Sequence, residues 1–202
     1  MLYKYPRTIH LPWSEGISSD DIKVSDDSFF HGKKVVVTEK MDGENTTLYN
    51  NHIHARSLDS KDHTSRHYVK NIWNGIKYLI PDNMRICGEN LYAKHSIYYN
   101  DLESYFLCFS VWLGEKCLSW DETINFCSDI NINIVPVLYE GFYNKERIKS
   151  LFDDKMEGYV IRLSDSFLIN DFHKSVAKFV RKNHVQTDKH WMYQKITKNK
   201  LR

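Results

Sequence analysis

The chain has 202 residues, 42% hydrophobic and 14% aromatic, enough to close a core in one compact domain and too apolar for a disordered chain. No apolar run is long enough to cross a bilayer and "MLYKYPRTIHLPWSEG" has no apolar signal core, so the expectation is a cytoplasmic protein without a membrane partner. The net charge of +2 hides an asymmetry: from Lys174 to Arg202 nine Lys/Arg face one acid, Asp188, on an otherwise acidic body, which suits a phosphate-bearing partner near that end.

Pro6 and Pro12 make the first dozen residues an extended lead-in, with His10 and Trp13 expected to pack it onto the body. Lys34 to Lys40 reads as a buried strand, because Val, Val, Val and Thr favour a pleated surface. Thr46–Tyr49 and His52–Ser57 flank Asn50 and Asn51, a pair able to supply the positive φ of a hairpin turn. Lys61–Leu79 is a predicted helix that stops before Pro81. Met84–Tyr92 and Tyr105–Leu113 are further strands. Ser119 and Glu122 form a capping box that opens a helix to about Ile130. A strand at Ile134–Tyr139, a helix at Asn144–Phe152 and strands at Gly158–Leu163 and Ser175–Val180 follow, with a helical tail from Gln186. The expected class is α+β, with mostly antiparallel strands and a few helices. Cys87, Cys108, Cys117 and Cys127 lack CxxC spacing and read as reduced core residues. His52/His54 and His63/His67 have strand and helix spacing but no HExxH glutamate, so no structural metal is expected there.

The chemistry begins at "VVVTEKMDGEN". A lysine amine attacks only when neutral, and its ordinary pKa is near ~10.4. Desolvation at the end of an apolar strand, or a neighbouring cation, is expected to lower that of Lys40. Asp42 is placed to orient Lys40, Gly43 to turn the backbone tightly, and Asn45 to hold a phosphate oxygen or a metal-bound water. Alone, Lys-x-Asp-Gly is equally a strand ending in a charged turn. It is followed, however, by Arg56 on the return strand, suited to phosphate, and by Glu89 at a strand end, suited to a ribose hydroxyl. Phe106 and Phe109 offer an aromatic face. Glu157 precedes a glycine and a strand, and Lys178, Arg181 and Lys182 supply late cations for charge on a transferring phosphate.

In order, "EKMDG", "ARS", "GEN", "YFLCFSVW", "EGYVIR" and "AKFVRKN" resemble the motifs of the covalent nucleotidyltransferases: ATP-dependent RNA and DNA ligases and capping enzymes. The set is most similar to the RNA ligase branch typified by RNA ligase 2, in which the motif lysine is followed five residues on by an asparagine, as Lys40 is by Asn45. "PRTIHLPWSEG" also resembles the N-terminus of bacterial and phage members. The resemblance implies an ATP-grasp-like ligase adenylation domain over 1–184, with a short basic tail at 185–202. It implies Lys40 as the nucleophile that becomes lysyl-AMP, Glu39 at the adenine edge, and Arg56 on phosphate. Glu89 would touch ribose, Phe109 (less so Phe106) would stack on adenine, Glu157 would hold a divalent metal, and Lys178 would contact the α-phosphate. ATP and Mg²⁺ or Mn²⁺ are the implied cofactors. The implied reaction is joining of 5′-phosphate and 3′-hydroxyl ends of RNA, with DNA an open possibility, by way of an adenylated strand. Lys174, Arg181, Lys182, Lys189, Lys195 and Lys198 are the candidate nucleic-acid contacts.

The sequence departs from the pattern in two places. Ser110 follows Phe109 where the family usually has an acid, and Val176 and Val180 flank Lys178 where a second base would stand. The basic tail is too short to fold as the family's usual second domain, so a partner protein or domain is a further expectation. "HVQTDKHW" (184–191) is read as closing the fold. The alternatives are a DNA ligase, a GTP-using capping-type transferase, or a degenerate domain that only binds nucleotide or nucleic acid. The reactive lysine argues against the last.

Overall fold

The computed structural model describes residues 1–17, 21–182 and 196–202. Among the described residues eleven strands form two sheets. They are β1 (Ile9–His10), β2 (Lys34–Glu39), β3 (Glu44–Leu48), β4 (Ile53–Ala55), β5 (Met84–Asn90), β6 (Phe106–Leu113), β7 (Lys116–Cys117), β8 (Val137–Phe142), β9 (Gly158–Leu163), β10 (Phe167–Leu168) and β11 (Val176–Val180). The helices are α1 (His67–Ile76), α2 (Trp120–Asp129), α3 (Lys145–Lys149) and α4 (Phe172–Ser175). One sheet runs β1-β11-β9-β2-β8, the other β10-β7-β6-β5-β3-β4. Every pairing is antiparallel except β1 with β11. The mixed, mainly antiparallel architecture matches the α+β expectation.

β2 explains why its valines form a run rather than an alternation. It is buried on both faces, and Val35, Val36 and Val37 have no exposure. Val35 and Val37 pack with Ile9, Phe30, Tyr159 and Phe179. Val36 points the other way, into a core that holds Leu91, Leu107 and Trp120. Its face therefore looks at the second sheet. The period of two carries that face on through Thr38 to Lys40.

Several boundaries move for local reasons. The strand expected from Ile134 starts at Val137, because Pro136 cannot donate to a ladder. The residues before it pair with β6 instead, with the Cys108 amide donating to the Asn133 carbonyl (2.8 Å) and the Val135 amide to that of Cys108 (2.9 Å). The chain thus changes sheets at Pro136. The first helix splits into a 3-10 turn at Thr64–Arg66, α1, and a second turn at Lys77–Leu79. The ring of His63 caps its start. The hairpin closes over Asn50 and Asn51 as expected, the Tyr49 amide donating to the His52 carbonyl. Neither asparagine takes a positive φ, however; Asn83 and Asn131 do. The helical tail is also corrected in part. Residues 196–202 are extended and bridge back, Lys198 to Ala93 and Leu201 to Leu102. They dock here because Asn199 is fully buried and its side chain bonds Leu91 and Tyr99. Residues 183–195, with "HVQTDKHW", lie outside the described residues.

The capping box at α2 is present in both directions: Ser119 Oγ accepts from the Glu122 amide, and Glu122 from that of Ser119. Ser119→Ala should cost about 1 kcal/mol and lower the Tm by about 2–4 °C in a thermal melt.

Candidate active site

A cleft of about 530 Å³ opens between the two sheets. From the first sheet it takes Thr38, Val160, Arg162, Val176 and Lys178, and from the second Asn45, Ala55, Glu89, Phe109 and Ser110. Lys40 lies where β2 leaves its sheet.

The strand order makes this juxtaposition. β2 pairs with β9 through Glu39 opposite Tyr159, and the Lys40 amide extends the ladder by donating to the Gly158 carbonyl (3.0 Å). Glu157 therefore arrives beside Lys40, and Lys40 Nζ donates to Glu157 Oε2 at 2.6 Å. Gly158 is required by close approach: a Cβ there would sit 2.0 Å from the Phe179 carbonyl oxygen. Gly43 acts similarly. It was expected to supply a turn, but its φ is not positive, and what it supplies is room. A Cβ would lie 2.6 Å from the Asn90 carbonyl oxygen and 3.0 Å from the Glu89 side chain.

The electrostatics correct one expectation. Burial does pull the Lys40 amine down, but Glu157, Glu89 and Asp42 together overcome it, and its pKa is raised. The lysine stands here as an ammonium held by carboxylates. Glu89 opens onto the same cleft; burial, then Glu157 and Asp42, outweigh Lys40 and push its pKa up to about 8. Glu39 is raised by burial and then by Asp153. Lys178 is lowered by burial and by Lys40, against the pull of Asp21.

The expected residues divide clearly. Glu39, Lys40, Asn45, Arg56, Glu89, Phe109 and Lys178 all line the cleft, and Glu157 reaches it through Lys40. Arg56 is exposed at its mouth. Phe106 does not belong: it is fully buried in the core behind β6, on the far side from Phe109. Asp42 does not orient Lys40 directly. Its Oδ2 accepts from the amides of Ser96 and Ile97, both at 2.7 Å, and fixes the loop that brings His95 to the cleft. Lys174, Lys182 and Lys198 are exposed and line no part of it. Lys198 lies over the Tyr92 and Tyr105 rings. Arg181 contributes its amide to the Glu157 carbonyl, and its Nε is buried without a hydrogen-bond partner. Lys189 and Lys195 are outside the described residues. The four cysteines are free and buried, as expected.

Some cleft residues were missed. Arg162, 4% exposed, is one β-period beyond Val160 on the same strand face, a spacing legible in "EGYVIR". Glu44 and Arg66 form an ion pair at the cleft edge with two side-chain hydrogen bonds. Asp21 also lines the cleft and binds Lys178 at 3.3 Å. No local signal announces a contact that spans 157 positions.

Among the described residues no three His, Cys, Asp or Glu side chains group to hold a metal alone. A Mg²⁺-like site that keeps water and phosphate ligands does not need such a group. The donor set fits one of that kind. Glu157 is a buried carboxylate, and Asn45 Oδ1 is a buried acceptor without a hydrogen-bond partner, suited to a coordinated water.

Residues 33–180 match the family model for RNA ligase, and the chain belongs to the RNA ligase family. Its fold is similar to solved structures of a Naegleria gruberi RNA ligase. A mutant of that enzyme with AMP and Mn is 20% identical, at TM-score 0.56, over 77% of this chain and 52% of that one. Another with ATP and Mn is 19% identical, at TM-score 0.57, over 88% of this chain and 61% of that one. The enzyme with PPi matches at 19% identity and TM-score 0.57, over 88% and 57%. The chain thus spans about half to three-fifths of the length of these structures. No curated protein sequence matches it.

Two outcomes test the electrostatics. Glu157→Gln removes a carboxylate that holds up the Lys40 amine, so its pKa should fall, read as faster labelling of Lys40 by an amine-directed reagent at fixed pH. Glu89, with its pKa raised from 4.5 to about 8, binds its proton more tightly folded than unfolded. Stability should therefore fall as pH rises through that window and level off above it. Glu89→Gln should flatten the profile, measured as the urea midpoint against pH.

Proposed function

We propose that the chain is an ATP-dependent RNA ligase that joins 5′-phosphate and 3′-hydroxyl ends through lysyl-AMP on Lys40. The observation that carries this reading is the Lys40 amine at the cleft between the sheets, hydrogen-bonded to Glu157, with Lys178 and Phe109 on the same cleft. Residues 1–184 are assigned to the adenylation unit, a covalent-nucleotidyltransferase fold, and 185–202 to a basic tail.

The chemistry follows from the groups present. A lysine held as an ammonium must give up a proton before it attacks, and Glu157 Oε2, at 2.6 Å, is in reach to take it. The Nζ lone pair then forms a bond to the α-phosphorus. The bond to the β-phosphate oxygen breaks, and pyrophosphate leaves with its electron pair. Lys178 faces the equatorial charge and Arg56 the outgoing phosphates. Phe109, with Val160 opposite, forms a slot for adenine. Glu39 lies at the adenine edge. Glu89, neutral over much of the physiological range, can both donate to and accept from a ribose hydroxyl. Mg²⁺ or Mn²⁺, when bound, neutralises phosphate charge and offsets the carboxylates that hold the Lys40 proton. Glu157 would hold it, and Asn45 would order its water. The AMP then passes to an RNA 5′-phosphate, and a 3′-hydroxyl displaces it. Lys174, Lys182 and Lys198, with Arg181, Lys189 and Lys195, are the proposed strand contacts, and a partner protein or domain supplies further recognition. Repair of cut RNA in the cytoplasm is the setting this reading implies.

The test is to incubate the protein with α-labelled ATP and Mg²⁺, denature it, and measure retained label, with Lys40→Ala beside it. Label on the wild type alone, followed by sealing of 5′-phosphate RNA, is the expected result. Absence of label with ATP, or label that persists on Lys40→Ala, would overturn the reading; label from GTP instead would indicate a capping-type enzyme.

A further inference from the structure

The lead-in, which precedes the segment matched by the family model, is built into the wall of the cleft. Among the described strands β1 and β11 form the one parallel pair, and its register sets His10 opposite Lys178. His10 is bonded along both edges. On one side its amide donates to the Ile22 carbonyl (2.7 Å) and its carbonyl accepts from Val24 (3.0 Å); on the other the Leu11 amide donates to the Lys178 carbonyl (2.8 Å). The segment carrying Asp21 is thus laid against β1, and β1 against β11.

The side chains form a file toward the cleft. The His10 ring is 1% exposed. Its Nδ1 lies 2.7 Å from Ser14 Oγ, and its Nε2 3.1 Å from Asp21 Oδ2. Asp21 Oδ1 accepts from Lys178 Nζ at 3.3 Å. Ser14 Oγ accepts from the Val180 amide (3.0 Å), and its hydrogen has two acceptors in reach, the Val180 carbonyl at 3.4 Å and His10 Nδ1 at 2.7 Å; the shorter contact to Nδ1 places the ring proton on Nε2, facing Asp21. Burial and the nearby Lys178 cation hold the ring neutral, lowering its pKa to about 4.

The two cleft lysines need opposite protonation. Lys40 must lose a proton to attack, whereas Lys178 must keep its charge to face a phosphate. Burial and Lys40 both work against the Lys178 charge; Asp21 and Glu157 support it. Asp21 contacts Lys178 at 3.3 Å, whereas the carboxylate bonded to Lys40 is Glu157.

We propose that Asp21 and His10 are positioning residues for the transfer of AMP to Lys40: Asp21 holds the Lys178 ammonium charged and aimed into the cleft, and His10 with Ser14 holds Asp21. This rests on the reading above. Nucleotide phosphate then shares Lys178 with Asp21, and the lead-in belongs to the catalytic apparatus rather than to the packing alone.

The experiment is a double-mutant cycle on the rate and ATP dependence of label transfer to the full chain, with Asp21→Asn, Lys178→Met and both together. Thermal melts accompany each variant. Asp21→Asn alone should slow the maximal rate by about tenfold or more. In the Lys178→Met background it should change the rate by less than about twofold, since the group it positions is gone. Asp21→Glu should restore part of the loss, and His10→Gln, which keeps an N–H toward Asp21, should retain more activity than His10→Phe. An equal loss from Asp21→Asn in both backgrounds would make it merely structural and overturn the proposal, as would a folded Asp21→Asn protein with the wild-type rate. A wild type that takes no label would instead sink the reading of function on which this one rests.

Discussion

The contact between Lys40 and Glu157 organises the molecule. The two residues are 117 positions apart, and the pairing of β2 with β9 puts them side by side. Everything that fixes that pairing serves the contact, from the three buried valines of β2 to the close approach that only Gly158 allows. The same contact creates a tension. The carboxylates that hold the amine in place also hold its proton, so Lys40 stands as an ammonium.

Each sheet contributes one kind of group. The first carries the amines and the acid that contacts Lys40; the second carries Glu89, Asn45 and the Phe109 ring. Their relative placement depends on loops tied down by polar contacts. The Asp42 carboxylate accepts from the Ser96 and Ile97 amides, the Tyr99 hydroxyl oxygen accepts a hydrogen bond from the Asp42 amide, and buried Asn199 accepts from the Tyr99 amide. The segment 196–202 thereby reaches, by way of one loop, to within two residues of Lys40.

Much of this was legible beforehand because it is local. Buried strands declare themselves by β-branched runs, the α2 cap by Ser119 and Glu122, and the site by short motifs whose strand ends fall together. The rest was not legible because it depends on partners distant in sequence. Whether Lys40 is raised or lowered turns on how many carboxylates surround it, and strand spacing alone gives no count of them. Phe106 and Phe109 look alike in composition, but three positions apart on β6 they face opposite sides of the sheet. Pro136, a visible break, moved a strand start by ending one pairing and beginning another. The lead-in read as packing, and it does pack, yet it also delivers Asp21 to Lys178.

The place of β11, between β9 and β1, has a consequence for how the cleft is assembled. β11 closes its sheet against β9 on one side and the earliest strand, β1, on the other. Lys40 follows β2, and the strands that bring Glu157 and Lys178 beside it, β9 and β11, lie more than a hundred residues further along the chain. Without the pairing of β9 on β2, Lys40 lacks the carboxylate that its amine bonds in the folded chain. The cleft is complete only when β11 takes its place between β9 and β1.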